Sequence, residues 1–185
     1  MGSFERQLER LVKGTALAVP QSHNRKSGFS RCGTLYNRRM AIPSRTAKPG
    51  TYFITTATHN RRRLFQVESN AALLLETIDH YRAGYLLHAY VVMPDHLHLL
   101  LTPTDITLER SMQLIKGGFS HRLASKLPVW QRGFTDHRIR DVADYEIRHN
   151  YIHRNPVAAG LSATPETYSF SSANSKLRLD EYLSG

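Results

Sequence analysis

Tyr85-Leu86-Leu87-His88-Ala89-Tyr90-Val91-Val92-Met93, then Pro94-Asp95, then His96-Leu97-His98-Leu99-Leu100-Leu101-Thr102 reads as two strands joined by a tight turn. β-branched and aromatic residues fill the first run, Pro94-Asp95 carries the turn, and Pro103 closes the second run. Alternation along the second strand puts Leu97, Leu99 and Leu101 on one face and His96 and His98 on the other. Residues two apart on a strand are about 6.8 Å from each other, so both imidazoles can address one ion. By itself the pair is either half a metal site or the solvated side of a half-exposed strand.

Working outward, Tyr52-Phe-Ile-Thr-Thr-Ala-Thr58 follows Pro49-Gly50 and reads as an earlier strand, ended by Arg61-Arg62-Arg63. Ala71, Leu74, Leu75 and Ile78 recur at helical spacing between Val67 and about Arg82, and Gly84 suits the stop. Thr107 to Leu127 has helical composition, with Gly117-Gly118 expected to break it, since each glycine costs about 1 kcal/mol in a helix interior. Trp130 to Arg140 reads as a fourth strand. Asp141 to about Arg154 reads as a helix whose first turns carry Asp141, Asp144 and Glu146, where the macrodipole favours acids. On that helix Tyr151 and Asn155 project together, one turn apart, and Pro156 is expected to end the regular turn. The order β-α-β-β-α-β-α implies an α+β fold, a ferredoxin-like split βαβ antiparallel sheet with an additional C-terminal helix that carries Tyr151.

A chain of 185 residues with 41% hydrophobic content can build one domain with extensions. Its formal charge of +10 favours a polyanionic partner, nucleic acid before membrane. No apolar run approaches the roughly 20 residues of a spanning helix, no secretory pattern opens the chain, and a single cysteine, Cys32, excludes a disulfide framework. The expected place is the cytoplasm, at the nucleoid. Residues 1–50 hold ten Lys/Arg against Glu5 and Glu9, so the basic excess belongs mainly to an N-terminal arm without sustained periodicity. Such an arm either binds nucleic acid or solubilises. The expected division is an arm over 1–50, a domain over 51–170 and a tail over 171–185.

If the last helix docks across the histidine face, the two halves make one site. A divalent ion, Mg²⁺ or Mn²⁺, on His96, His98 and Asn155 would grip a phosphodiester, and Tyr151 would attack its phosphorus. Taken alone, Tyr151 reads as a packing residue, its hydroxyl met by some acceptor, and Asn155 before proline also reads as a C-terminal cap.

At these residues the chain resembles a known family. Met93-Pro94-Asp95-His96-Leu97-His98-Leu99-Leu100 is similar to the His-hydrophobic-His signature of HUH single-strand DNA endonucleases. Trp130-Gln131-Arg132-Gly133-Phe134, then Asp136-His137-Arg138-Ile139-Arg140, then Tyr151 through Leu161, resemble the REP-associated tyrosine transposases, relatives of the single-tyrosine transposases of small insertion sequences. The resemblance covers about residues 50–170. It implies a metal on His96 and His98, completed by Asn155, and Tyr151 as the nucleophile of a 5′-phosphotyrosine link. It implies single-stranded or hairpin DNA, a repetitive extragenic palindrome, as substrate, and a monomer or homodimer as the acting species. Arg38, Arg39 and Arg45 lie where relatives carry an Arg/Gly/Ser segment that reads the DNA flank, and match it loosely.

Further DNA contacts are expected from Arg61, Arg62, Arg63, Lys116, Arg132, Arg138, Arg140 and Arg154. Arg61 to Arg63 are otherwise a solvated loop. Trp130 and Phe134 either stack on unpaired bases or pack in the core. Glu109, Asp136 and Asp141 are all candidates for a general base, and spacing does not select among them. Two other functions fit the same residues: a metal-dependent phosphodiesterase using water, and a non-catalytic hairpin-binding module. A covalent protein–DNA adduct separates the transposase from both.

Overall fold

The structure is a computed structural model that describes residues 48–174 and 176–182. Arg38, Arg39 and Arg45 lie outside the described residues, as does nearly all of the basic arm.

Four strands form one antiparallel sheet: β1 (Tyr52–Ala57), β2 (Tyr85–Met93), β3 (His96–Pro103) and β4 (Thr135–Arg138), in the order β2-β3-β1-β4. The helices are α1 (Glu68–His80), α2 (Leu108–Leu123) and α3 (Val142–Ala158). Each βαβ unit is split by a strand of the other, which is the expected ferredoxin-like arrangement.

Alternation on the strands divides the molecule into two layers. Tyr52, Ile54, Tyr90, Val92, Leu97, Leu99 and Leu101 join Leu74, Ile78, Met112, Ile115 and Phe119 of α1 and α2 in the larger core. Each large apolar side chain buried there contributes roughly 1.5–3 kcal/mol. The opposite face holds a smaller cluster of Ala89, Val91, Met93, Leu100, Ile139 and Ile152, the last from α3. With the larger core carrying the fold, the second face can hold polar groups. There β3 presents His96 and His98.

Three boundaries differ from expectation. α2 runs unbroken through Gly117-Gly118 and ends where Ala124 turns left-handed at φ 52°. Gly118 serves a close approach instead: a Cβ there would stand 2.5 Å from the ring of Tyr81. The stretch 130–140 is not one strand. Trp130 makes an isolated bridge to Thr58, Gly133 turns at φ 76°, and only four residues then pair with β1. Finally, α3 passes through Pro156 to Ala158. The missing proline N–H costs little in a last turn, and the true stop is Gly160 at φ 68°. Gly160 N donates to Val157 O at 3.0 Å and Leu161 N to Pro156 O at 2.8 Å, a Schellman closure.

Beyond α3 the chain returns along the outer edge of β2. Val91 bridges Ser171, Val92 N donates to Phe170 O at 2.9 Å, and Ser172 Oγ bonds both the N–H and the carbonyl of Tyr90. Farther along, Asp180 takes Leu87 N on its carboxylate at 2.8 Å, and its own N–H donates to Leu87 O.

Candidate active site

β3 registers His98 opposite Thr55 and His96 opposite Ala57, so β1 lays Phe53, Thr55 and Ala57 beside the histidines. α3 crosses this same face with Tyr151. The His98 ring stacks on Phe53 at 5.4 Å between centroids, and Tyr151 meets both rings edge-on, at 5.4 Å from His98 and 5.7 Å from Phe53. His96 stands at 4.8 Å from His98, nearly perpendicular to it. The two sequence segments therefore meet as expected.

The histidines are held as neutral rings. Burial lowers the His96 pKa, partly offset by the neighbouring Asp95 carboxylate. Burial, with any proton taken up by His96 and the charge of Arg61 adding to it, pushes His98 well below its ordinary value. Neutral imidazole is the ligand form. Asp95 Oδ1 lies 2.6 Å from His96 Nδ1, and Thr55 Oγ1 lies 2.8 Å from His98 Nδ1. Nδ1 is thus occupied on both rings, an arrangement that orients a ligating imidazole and leaves Nε2 as its donor. His98 Nε2 is buried and has no hydrogen-bond partner among the described residues. A buried lone pair without a partner is costly unless a ligand takes it up, so these residues fit a divalent ion. Among the described residues no three His, Cys, Asp or Glu side chains gather into a metal site. Asn155, half-buried one turn beyond Tyr151 on α3, is a ligand type outside that group.

The basic candidates divide by what they touch. Arg61 sits in a turn with Asn60 and itself in left-handed backbone, φ 54° and 52°, and its Nη1 lies 3.5 Å from Asp95 Oδ2. Non-glycine residues rarely adopt that conformation, and the turn places a 59%-exposed guanidinium beside the His96 end of the site. Arg62 donates to Pro128 O. Arg63, Arg132 and Arg154 are exposed. Arg138 donates twice to Pro49 O, and Arg140 reaches Asp144. Lys116 donates to the carbonyls of Gln131 and Gly133, which fastens the loop before β4, and desolvation lowers its pKa. Trp130 and Phe134 pack against the larger core, and Trp130 Nε1 donates to Lys116 O at 3.0 Å. Of the candidate bases, Asp141 accepts Asp144 N as the cap of α3.

Three residues of the site escaped sequence reading: Phe53, Asp144 and Arg148. Alternation on β1 would have placed Phe53 opposite Tyr52 and Ile54, on the histidine face. Asp144 and Arg148 continue the Tyr151–Asn155 stripe backwards along α3.

Comparison with known proteins gives the family of the chain. Residues 47–155, more than half of the chain, match the family described as "Transposase IS200 like". The REP-associated tyrosine transposase of Escherichia coli (strain K12) is 32% identical over 127 residues, 67% of this chain and 76% of that protein. The solved structure of a REP-associated tyrosine transposase bound to a REP hairpin superposes with a TM-score of 0.62 at 26% identity, covering 81% of this chain and 84% of the other. Among the described residues no helix is long and apolar enough to cross a membrane. With its histidine pair and tyrosine helix brought together on one sheet face, the chain belongs to the IS200-like transposases, as a DNA-cleaving tyrosine transposase of the REP-associated kind.

Proposed function

We propose that this transposase cleaves and rejoins single-stranded or hairpin DNA through a 5′-phosphotyrosine intermediate, with Tyr151 as nucleophile. The observation that carries the reading is the packing of Tyr151 against His98, whose buried Nε2 has no partner among the described residues. The phenol oxygen attacks phosphorus, an O–P bond forms, and the bond from phosphorus to the 3′ oxygen breaks. The phenol proton passes to solvent, and the departing oxygen takes a proton back. Because one ester replaces another, the reverse attack by a DNA hydroxyl rejoins the strand without an external energy source.

His96, His98 and Asn155 would hold Mg²⁺ or Mn²⁺. Such an ion supplies charge withdrawal from the nonbridging oxygens of the phosphodiester and stabilises the leaving oxygen. The residues here orient and desolvate. Thr55 and Asp95 hold the imidazoles, while Phe53 fixes the Tyr151 ring against His98. The repetitive extragenic palindrome is the expected substrate, in keeping with the hairpin held by the REP-associated relative. Arg61, Arg63, Arg132 and Arg154, with the arm over residues 1–50, supply phosphate contacts, and their contribution should show as a steep fall of affinity with salt.

Tyr151→Phe tests the reading, since it removes only a hydroxyl. The variant should melt like wild type and bind the hairpin, yet form neither cleavage product nor covalent adduct on a denaturing gel. Cleavage that persists without any adduct in wild type would assign the attack to water. Retained cleavage and adduct in the variant would remove Tyr151 from the chemistry.

A further inference from the structure

Asp144, Arg148, Tyr151 and Asn155 follow one another at i, i+4, i+7 and i+11 along α3 and share one helix face. Arg148 is the member for which neither the fold nor the proposed chemistry accounts. Its side chain is only 15% exposed, yet it carries a full charge. The guanidinium carbon lies 5.4 Å from the centroid of the Phe53 ring, which also takes the face of His98 and the edge of Tyr151. Nucleophile, histidine and guanidinium thus meet around a single ring.

The local charges leave Arg148 underserved. Asp144, itself 5% exposed, accepts His137 Nε2 at 2.7 Å, Arg140 N at 3.2 Å and Arg140 Nε at 3.4 Å. Burial pulls its pKa up, and the hydrogen bonds from His137 and Arg140 more than offset this, so it stays a carboxylate. Arg148 Nε lies 3.5 Å from Asp144 Oδ1 without hydrogen-bond geometry, and that buried N–H has no acceptor among the described residues. One carboxylate therefore serves two guanidinium groups and an imidazole. A buried donor left unmet is costly, and more so on a charged group, so the Arg148 guanidinium is suited to a second anion. A phosphodiester brought up to Tyr151 is such an anion.

We propose that Arg148 binds the scissile phosphate of the DNA beside Tyr151, donating to a nonbridging oxygen while Asp144 and Phe53 hold the guanidinium in place. The assignment rests on the reading of Tyr151 as nucleophile. As the phenol oxygen joins phosphorus and the 3′ oxygen leaves, negative charge on the nonbridging oxygens meets a fixed cation inside a largely desolvated site. Donors aimed at developing charge are worth most there.

The test pairs a protein change with a substrate change. A hairpin oligonucleotide is prepared with an ordinary phosphodiester or a methylphosphonate, in which a methyl group replaces one nonbridging oxygen and the charge is lost, at the scissile position. Adduct formation is timed for wild type, Arg148→Ala and Arg148→Met, the last keeping an unbranched stem against Phe53. Both variants should be slower on the phosphodiester by about a hundredfold, the loss typical of one such donor. On one methylphosphonate diastereomer they should match wild type, because the oxygen served by Arg148 is gone. The same factor lost on both substrates, or no loss on either, overturns the proposal while leaving Tyr151 as nucleophile. Loss of cooperative melting in both variants assigns Arg148 to the fold and overturns it equally. Absence of any adduct from wild type overturns the tyrosine reading and this proposal with it.

Discussion

Replacing Phe53 by leucine tests how far the site depends on a prearranged tyrosine. Leucine keeps an apolar side chain of similar bulk on β1 but removes three ring contacts at once: the stack on His98 at 5.4 Å, the edge of Tyr151 at 5.7 Å and the cation of Arg148 at 5.4 Å. Each such contact is worth about 0.5–1 kcal/mol where partly exposed, and they share one ring, so they do not add fully. A loss of about 1.5 kcal/mol in urea unfolding is expected. If roughly that energy holds Tyr151 ready for attack, adduct formation should slow by about tenfold, at 1.4 kcal/mol per factor of ten. Hairpin affinity, measured by anisotropy with the same preparation, should stay within about twofold, since phosphate contacts elsewhere carry binding. A variant that loses the stability but forms the adduct at the wild-type rate would show that the ring merely fills space.

His96→Ala should abolish cleavage and leave hairpin affinity within a few fold; full cleavage by this variant in EDTA-treated buffer would end the metal assignment. The two α2 glycines should respond oppositely to alanine. Gly117→Ala meets nothing within 4 Å and should raise stability by up to about 1 kcal/mol, whereas Gly118→Ala drives a Cβ to 2.5 Å from Tyr81 and should cost about 1–3 kcal/mol. Thermal melts that rank the pair the other way would refute the close-approach account. His153, whose Nε2 lies 2.7 Å from Ser172 Oγ, has its pKa lowered to about 4 by burial. Between its ordinary value near 6.5 and 4 the unfolded chain takes up a proton that the folded one refuses, so stability falls as pH falls through this window. About 1–2 kcal/mol should be lost after allowing for partial exposure, and His153→Gln should flatten the dependence. Parallel stability–pH curves for the two proteins would refute it.

Most of the scaffold was legible because local pattern and tertiary demand agree along β2 and β3. Leu97, Leu99 and Leu101 are residues of the larger core for the reason their alternation suggests, and the same alternation puts the histidines where α3 lands. Legibility failed where a distant residue decided. Gly118 looks like a break until Tyr81, the cap that follows α1, is seen beside it, and Pro156 looks like a stop until the closure at Gly160 supplies the real one. Phe53, Asp144 and Arg148 carry no motif of their own. Their roles come from being brought together by strand register and helix docking, which a linear reading registers only as a polar stripe on α3 and an aromatic on the quieter face of β1.

The return of the chain along β2 has a consequence for solubility. An open strand edge is a template on which another chain can grow a sheet, and the hazard rises with the length and greasiness of the strand. β2 is nine residues long, almost wholly buried, and rich in Leu, Val and Tyr. Its outer N–H and C=O groups at Leu87, Tyr90 and Val92 are already engaged by Asp180, Ser172 and Phe170. The opposite edge belongs to β4, four residues reading Thr-Asp-His-Arg, which offers a newcomer a short, polar and partly charged border. Peeling away residues 168–182 would therefore do more than loosen a terminus. It would expose the long apolar border that β2 gives the sheet and offer it as a seed for strand-on-strand aggregation.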